Sequence, residues 1–440
     1  MPTKFEEIFN IPDLRRRVLF TLGILALFRL GTAIPLPGVN AKALAAFFAQ
    51  QKGTIFGFLD MFSGGAMRRV SIFALGVMPY INASIIMSLL QTAVPYLEKL
   101  SKEGEIGRRK ITQITRYLTV LIAGIQGFGF TLWLKTMKMP GGEQVLYGSG
   151  FGFRLLIILT IIVGTLLCMW LGEQITENGI GNGISLIIFT GIVARLPASI
   201  KNTWTLVRTG ELSLLGALFF LILAIGITAL VVLVEQAHRR IPVQYTRRIV
   251  GRKVYGGQST YLPLKVDQAG VIAVIFAVAF MTFPLTVSQF FPNSPFFQKV
   301  SDWLNRGSVL YNIVYAALIV FFCYFYTAIT FNPEDISENL KKWGGYIPGI
   351  RPGKPTADYI NKILTRITLI GAVFVVFIAI MPQFLRVHFK APFWFGGTAL
   401  LIAVGVALDT VGQLEAHLIM RHYEGFMKKA RVKGRYFNIR

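Results

Sequence analysis

Apolar residues run through ten stretches of the chain: 18–34, 70–94, 111–134, 155–171, 184–196, 212–234, 270–290, 309–331, 363–381 and 392–414. A helix needs about 20 mainly apolar residues to cross the hydrocarbon core of a bilayer. Most stretches come close to that length, and 184–196, the shortest, must borrow flanking residues. The runs are continuous rather than alternating, so they read as helices and not as barrel strands; within lipid a helix satisfies its own backbone groups. The pattern predicts an all-α membrane protein with ten transmembrane helices.

The polar segments between these runs are lopsided in charge. Arg15, Arg16 and Arg17 precede the first run. Lys99, Lys102, Arg108, Arg109 and Lys110 separate the second from the third, and Arg239, Arg240, Arg247, Arg248, Arg252, Lys253 and Lys265 the sixth from the seventh. Lys341, Lys342, Arg351 and Lys354 lie between the eighth and ninth, and six more lysines and arginines lie from Lys428 to Arg440. With ten spans all of these face one side, and the alternate loops are poorer in Lys and Arg. Positive charge marks the cytoplasmic side, so both termini are expected there.

Composition strengthens the membrane reading. Of 440 residues 54% are hydrophobic and only 15% charged, with 36 Phe and a mean hydropathy of +0.58. A soluble chain carries about 25% charged residues. The net charge of +24 would suit nucleic acid, but the basic residues sit between spans, where orientation and anionic lipid use them. Glu6, Glu7 and Asp13 ahead of the first run argue against a cleavable signal. Cys168 and Cys323 lie inside apolar runs and read as free packing residues.

Three segments depart from the span-and-loop pattern. Residues 54–66 (TIFGFLDMFSGGA) are too few to span and end in Ser63, Gly64 and Gly65. They read either as a re-entrant or interfacial turn, or as a movable half-helix in a water-filled vestibule; irregular backbone at membrane depth needs such cover. The loops 239–265 and 331–356 are longer than orientation requires, which points to a docking surface for a soluble or ribosome-sized partner.

Catalysis by this chain alone is not expected. There is no phosphate loop of the GxxxxGK[ST] type, no HExxH and no GxSxG. Gly179–Gly183 (GIGNG) resembles a phosphate cradle but joins two apolar runs and follows no strand. No metal or cofactor is implied. Ion-coupled transport is poorly supported as well, since no paired carboxylates occupy a midplane position. Arg29, near the end of the first span, is placed to snorkel outward. The interior does hold aliphatic pairs near span starts: Val77 with Ile81 and Ile184 with Ile188, each four apart, plus Ile275 and Ile402. Such pairs usually just pack. A solute transporter and a membrane scaffold or ribosome receptor therefore stay open beside a pore.

Specific strings narrow the choice. MFSGGAMRRVSIFALGVMPYINASIIMSLL (61–90), EGEIGRRKITQ (103–113), MWLGEQITENGIGNGISLIIF (169–189), QSTYLPLKVDQAGVI (258–272), FNPEDISENLKKWGGYIPGIRPG (331–353) and PFWFGGTALLI (392–402) resemble the SecY family, the central subunits of bacterial protein-conducting channels. The resemblance keeps motif order and spacing from about Arg15 to the tail.

It implies two inverted five-helix halves, 1–195 and 213–440, hinged at an external segment 196–212. It also implies a pore ring of Val77, Ile81, Ile184, Ile188, Ile275 and Ile402, with valine at one position where isoleucine is common. Residues 54–66 would be the re-entrant plug, including Phe56, Phe58, Leu59, Met61, Phe62, Gly64 and Gly65. Asn82, Gln126 and Phe283 would line a lateral gate that releases apolar segments into lipid. Arg247, Arg248, Arg252 and Lys253 in loop 239–265, with Arg351 and Lys354 in loop 331–356, would dock the ribosome or the SecA motor ATPase. SecE and SecG subunits, secretory and membrane-protein precursors and anionic lipid are the partners implied, at the bacterial cytoplasmic membrane.

Overall fold

The computed structural model describes residues 11–40, 63–67, 69–136, 147–148, 150–245, 248–250, 253–255, 259–288, 294–296, 299, 309–389 and 397–431. In chain order the helices are α1 (Pro12–Gly31), α2 (Met78–Ala93), α3 (Pro95–Lys102), α4 (Glu105–Thr136), α5 (Phe151–Asn178), α6 (Gly183–Val193), α7 (Leu196–Arg208) and α8 (Leu214–Glu235). Strands β1 (His238–Tyr245), β2 (Arg248–Val250), β3 (Lys253–Tyr255) and β4 (Ser259–Lys265) follow. Then come α9 (Gly270–Ser288), α10 (Val309–Thr330), α11 (Pro333–Lys342), β5 (Gly345–Tyr346), α12 (Lys354–Phe389) and α13 (Gly397–Arg431).

Among the described residues seven helical segments are long and apolar enough to cross a membrane, and Gly270–Thr282 is a shorter apolar helix. The protein is thus a mostly helical, multi-pass membrane protein. The short run at 184–196 does borrow from its flank: α6 and α7 together form a candidate span, Gly183–Arg208. Much of the expected external hinge is therefore helical.

The second expected span needs correction. Only Met78–Ala93 of residues 70–94 is helical. Ahead of it the backbone turns, and Val70 adopts φ +44°, uncommon for a β-branched residue. The cause is pairing with the chain after α1. Leu36 N donates to Val70 O at 2.7 Å and Ile72 N to Ile34 O at 3.1 Å, around a bridge between Pro35 and Ser71. Backbone groups spent on that bridge cannot close helical turns.

The chain forms two compact units. One comprises Met1–Pro79, Leu134–Arg195 and Val406–Arg440; the other Tyr80–Trp133 and Leu196–Gly405.

The first unit packs backbone on backbone through glycines. A Cβ at Gly31 would lie 2.1 Å from the ring of Phe73, which stacks on Phe28 with centroids 5.6 Å apart. A Cβ at Gly164 of α5 would lie 2.0 Å from Ile72 O, so the turn before α2 rests directly on α5. Gly183 at the start of α6 comes just as close to the Gly172 carbonyl, with 1.9 Å to an added Cβ. Small residues of this kind let membrane helices approach where no hydrophobic effect drives them together.

In the second unit α9, α10 and α12 pack successively. Phe276 and Phe280 meet Phe322 edge-on. Only Phe220 and Val231 of α8 are buried, and its exposed apolar surface suits lipid. The same unit contains the strands that the apolar pattern does not announce. β1 is the centre of an antiparallel sheet ordered β4-β1-β5, and β2 and β3 form a separate hairpin. Ile241 and Val243 alternate inward on β1 and pack with Leu264, Ile347 and Ile360 into a small core of their own.

Candidate functional site

The six aliphatic positions expected to form a constriction divide evenly between the units. Val77, Ile184 and Ile188 belong to the first and Ile81, Ile275 and Ile402 to the second. Val77, Ile81, Ile188, Ile275 and Ile402 are buried, and Ile184 is half-buried with its side chain leaning on Gly172 of α5. The shared-face argument for Val77 and Ile81 does not hold as stated. Val77 precedes the first helical residue of α2 and sits in the turn that the Pro35–Ser71 bridge creates. Ile184 and Ile188 do share a face of α6.

Of the expected plug, Phe56, Phe58, Leu59, Met61 and Phe62 lie outside the described residues. Its C-terminal end is described. Gly64 and Gly65 have φ of +68° and +89°, a region open to glycine at little cost. Gly64 is buried where a Cβ would meet Gly191 Cα of α6 at 3.2 Å and Phe28 of α1 at 3.5 Å. Arg29 does not snorkel away: its Nη1 donates to Gly64 O at 2.6 Å. The sequence marks Arg29 as an intramembrane charge but gives no hint of a partner 35 residues away.

The GIGNG loop is a structural joint. Ile180 N donates to Thr21 Oγ1 of α1 at 3.1 Å, Gly181 N to Gln413 Oε1 of α13 at 2.9 Å, and Gly183 N to Thr176 Oγ1 at 2.9 Å. Arg17 Nη1 reaches Gly179 O at 3.5 Å. Backbone donors committed to side chains cannot cradle a phosphate. The roles of Thr21 and Gln413 were not legible, since each acts across more than 150 residues.

The two loops expected to dock partners meet in one sheet. Gln244 and Tyr245 of β1 pair with Tyr346 and Gly345 of β5, and Tyr346 Oη donates to Gln244 Oε1 at 3.1 Å. Ser337 Oγ donates to Gly353 O at 2.6 Å, tying α11 to the turn that carries Arg351. Arg351 and Lys354 are exposed. Arg248 and Lys253 stand on the β2–β3 hairpin, whose side chains are not described, and Arg247 and Arg252 lie outside the described residues. Trp343 is strongly exposed near the same sheet. An Ile-Pro-Val alternation among arginines was the available signal for β1, too short to outweigh a loop reading.

Between this sheet and α9 lies Asp267, which is buried and accepts a hydrogen bond from Gly270 N at 2.8 Å. Burial pushes its carboxyl up to about 6, against the opposing pull of the Gly270 donor and the Lys265 charge. Asn82 of α2, an expected gate residue, is buried and Gln126 of α4 half-buried. Phe283 lies in α9, with its side chain not described. Among the described residues no three His, Cys, Asp or Glu side chains cluster as a metal site requires.

Repeated apolar helices, a glycine-bent segment against α1 and α6, and a structured basic loop region place the chain in the class of multi-pass helical membrane proteins. The SecY family model matches residues 71–411, and the chain belongs to the SecY family. It is 48% identical over 428 residues to "Protein translocase subunit SecY" of Escherichia coli strain K12, covering 97% of this chain and 96% of that one. The subunit of the same name from Aquifex aeolicus is 44% identical, with 98% and 100% covered, and that of Thermotoga maritima 46%, with 98% and 99%. The fold is similar to "The structure of a protein conducting channel" (TM-score 0.65, 18% identity, 94% and 96% covered). It is also similar to Sec61 in the canine ribosome–channel complex from the endoplasmic reticulum (TM-score 0.61, 17% identity, 94% and 96% covered).

Proposed function

We propose that this chain is the channel-forming subunit of a protein translocase, passing unfolded polypeptides across the bacterial cytoplasmic membrane with both of its own termini in the cytoplasm. The observation that carries this reading is the near full-length likeness to translocase subunits, at identities of 44–48%. It makes and breaks no bond. The two halves, 1–195 and 213–440, would flex about 196–212, and a motor or ribosome would supply direction.

Val77, Ile81, Ile184, Ile188, Ile275 and Ile402 would form the constriction. A narrow aliphatic ring cannot hydrogen-bond water, so it dewets and resists ions. Its flexible side chains seal around a passing chain without preferring a sequence. The burial of five of the six supports this assignment. Residues 54–66 would plug the passage from outside.

Asn82, Gln126 and Phe283 would line the lateral gate. Each Leu-like residue gains about 0.3–0.6 kcal/mol on entering lipid, and a central Lys or Arg costs about 2.5–3.5 kcal/mol. Apolar segments would therefore leave sideways while polar chains continue through.

Arg247, Arg248, Arg252, Lys253, Arg351 and Lys354 would receive the ribosome or the SecA motor ATPase, with the joint sheet β4-β1-β5 as their rigid support. SecE and SecG would complete the complex, and anionic lipid would meet the basic loops.

Replacing Ile81 and Ile188 by Asn tests the constriction. The doubly substituted channel is expected to conduct ions at rest in planar bilayers, and a conductance equal to that of the parent protein refutes the ring.

A further inference from the structure

We infer that α7 is an interfacial anchor: its apolar face, with Ile200 and Trp204, lies in the headgroup region of the bilayer beside the start of α8, and Lys201 and Arg208 meet the phospholipid phosphates. The occupant of that face is lipid. The inference goes beyond the translocation reading and stands whether or not the chain conducts polypeptides.

The helix itself supplies the first argument. α7 has 13 residues and none of them is buried. Ile200 is 67% and Trp204 55% exposed. Leu196, Ile200, Trp204 and Val207 recur at steps of four, four and three, which puts them on one face of a helix. Lys201, Thr205 and Arg208 follow the same steps on the adjoining polar side, and all three are exposed. The Arg208 guanidinium stands over the Trp204 ring at 5.6 Å, so charge and indole meet at the boundary between the two faces.

The place of α7 in the chain supplies the lipid. Gly183–Arg208 is long and apolar enough as a whole to cross a membrane, but its charged residues, Arg195, Lys201 and Arg208, all follow α6, which carries none. Charge deep in hydrocarbon is costly. A helix with Lys and Arg on one side and Trp with aliphatics on the other settles in the headgroup region instead. After α7 the chain reverses at Gly210, where φ is +77°, and Leu212 N donates to Leu206 O at 3.1 Å. α8 begins directly after this turn: Ser213 caps it by accepting from Gly216 N, and its first residues, Leu214 and Leu215, are strongly exposed. The end of α7 is thereby held where an outward-facing apolar helix enters the bilayer. Trp suits that depth because its ring is apolar and its N–H is polar, and Lys and Arg reach phosphates over apolar stems.

The test uses the full chain, purified with its partner subunits in nanodiscs of phosphatidylethanolamine and phosphatidylglycerol. A spin label is placed at Ile200→Cys or at Thr205→Cys, both exposed positions. The native Cys168 and Cys323 are buried, and the parent protein gives their background. Power saturation compares oxygen, which concentrates in lipid, with a nickel chelate, which stays in water. The label at 200 is expected about 5–10 Å inside the headgroup–acyl boundary, and that at 205 in water. Val207→Cys and Asn202→Cys take their places if either variant does not accumulate. Trp204→Ala with Arg208→Gln is expected to move the label at 200 outward.

Lipid exposure at 200 with water exposure at 205 supports the anchor. Both labels in water, or the reverse order, overturns it. Both in lipid means that α7 crosses the core, which also overturns it. A label at 200 reached by neither reagent means that a protein surface covers the face, and lipid is then the wrong occupant. An unchanged depth at 200 in the Trp204 and Arg208 double variant overturns the anchoring role of that pair.

Discussion

At residues 63–65 and again at 179–183 the first unit turns its backbone through glycines, yet the two joints are secured very differently. At the first, the Arg29 side chain donates to the Gly64 carbonyl across 35 residues. The second is tied by Thr21, Gln413 and Thr176 to three successive-region backbone donors, with Arg17 near the Gly179 carbonyl. Glycine supplies the permission to bend in both places. Several ties that meet in one loop must break together before that loop can open. The GIGNG loop therefore behaves as a weld between α1, α5, α6 and α13.

The largest effect should come from forcing the weld apart. Gly183→Ala would place a methyl 1.9 Å from the Gly172 carbonyl, a backbone atom that cannot step aside. The strain should cost about 3 kcal/mol or more. The expected outcome is a protein that fails to accumulate in membranes, measured by immunoblot of membrane fractions. Normal accumulation with an unchanged melting temperature would break the comparison.

A third glycine joint, in the second unit, sharpens it. Gly270 has φ +53°, and its N–H donates to the Asp267 carboxylate at 2.8 Å. The carboxyl is raised from 3.8 to about 6 by burial, so the folded state holds its proton more tightly than the unfolded chain does. Stability attached to this group is fully present below pH 3.8 and is lost as pH rises to about 6; above that the penalty is constant at about 3 kcal/mol. Asp267→Asn keeps an acceptor for Gly270 N and carries no charge. The melting temperature of the parent protein should fall between pH 4 and pH 6, with that of the variant lacking this component. Parallel pH profiles would remove the burial argument.

The smallest effect is expected from single ties of the weld. Thr21→Val leaves Ile180 N without its acceptor, and Gln413→Leu does the same to Gly181 N, at a cost of about 1–3 kcal/mol each. Because the ties share one loop, the double variant should lose less or more than the sum. Thermal melts of the two single variants and the double variant form the cycle that measures this coupling, and strict additivity would show independent bonds rather than one joint.

How much of this was legible depends on how far apart the deciding residues are. The long spans α4, α5, α8, α10, α12 and α13 follow from apolar runs that need no partner to be recognised. The lopsided charge likewise singled out the two long basic loops. It did not reveal that they share a sheet, because β1 and β5 pair across about a hundred residues and each strand signal is a few alternating positions. The run 70–94 looked like one span because Val70, Ile72 and Phe73 are as apolar as a helix would require. Bonds to Ile34 and Leu36 turned them aside. The six aliphatic positions proposed for the ring were marked through the family resemblance, and their periodicity alone would have left them as packing.

The sequence by itself determined the solvent, the approximate place of most apolar helices, and the family, because these depend on composition and on local order along the chain. The tertiary structure decided which glycines bend freely and which are pinned, that Arg29 answers to Gly64, and that two basic loops form one sheet. Those outcomes depend on hydrogen-bond partners brought together from distant segments, and a donor's need for an acceptor does not say which acceptor it will find.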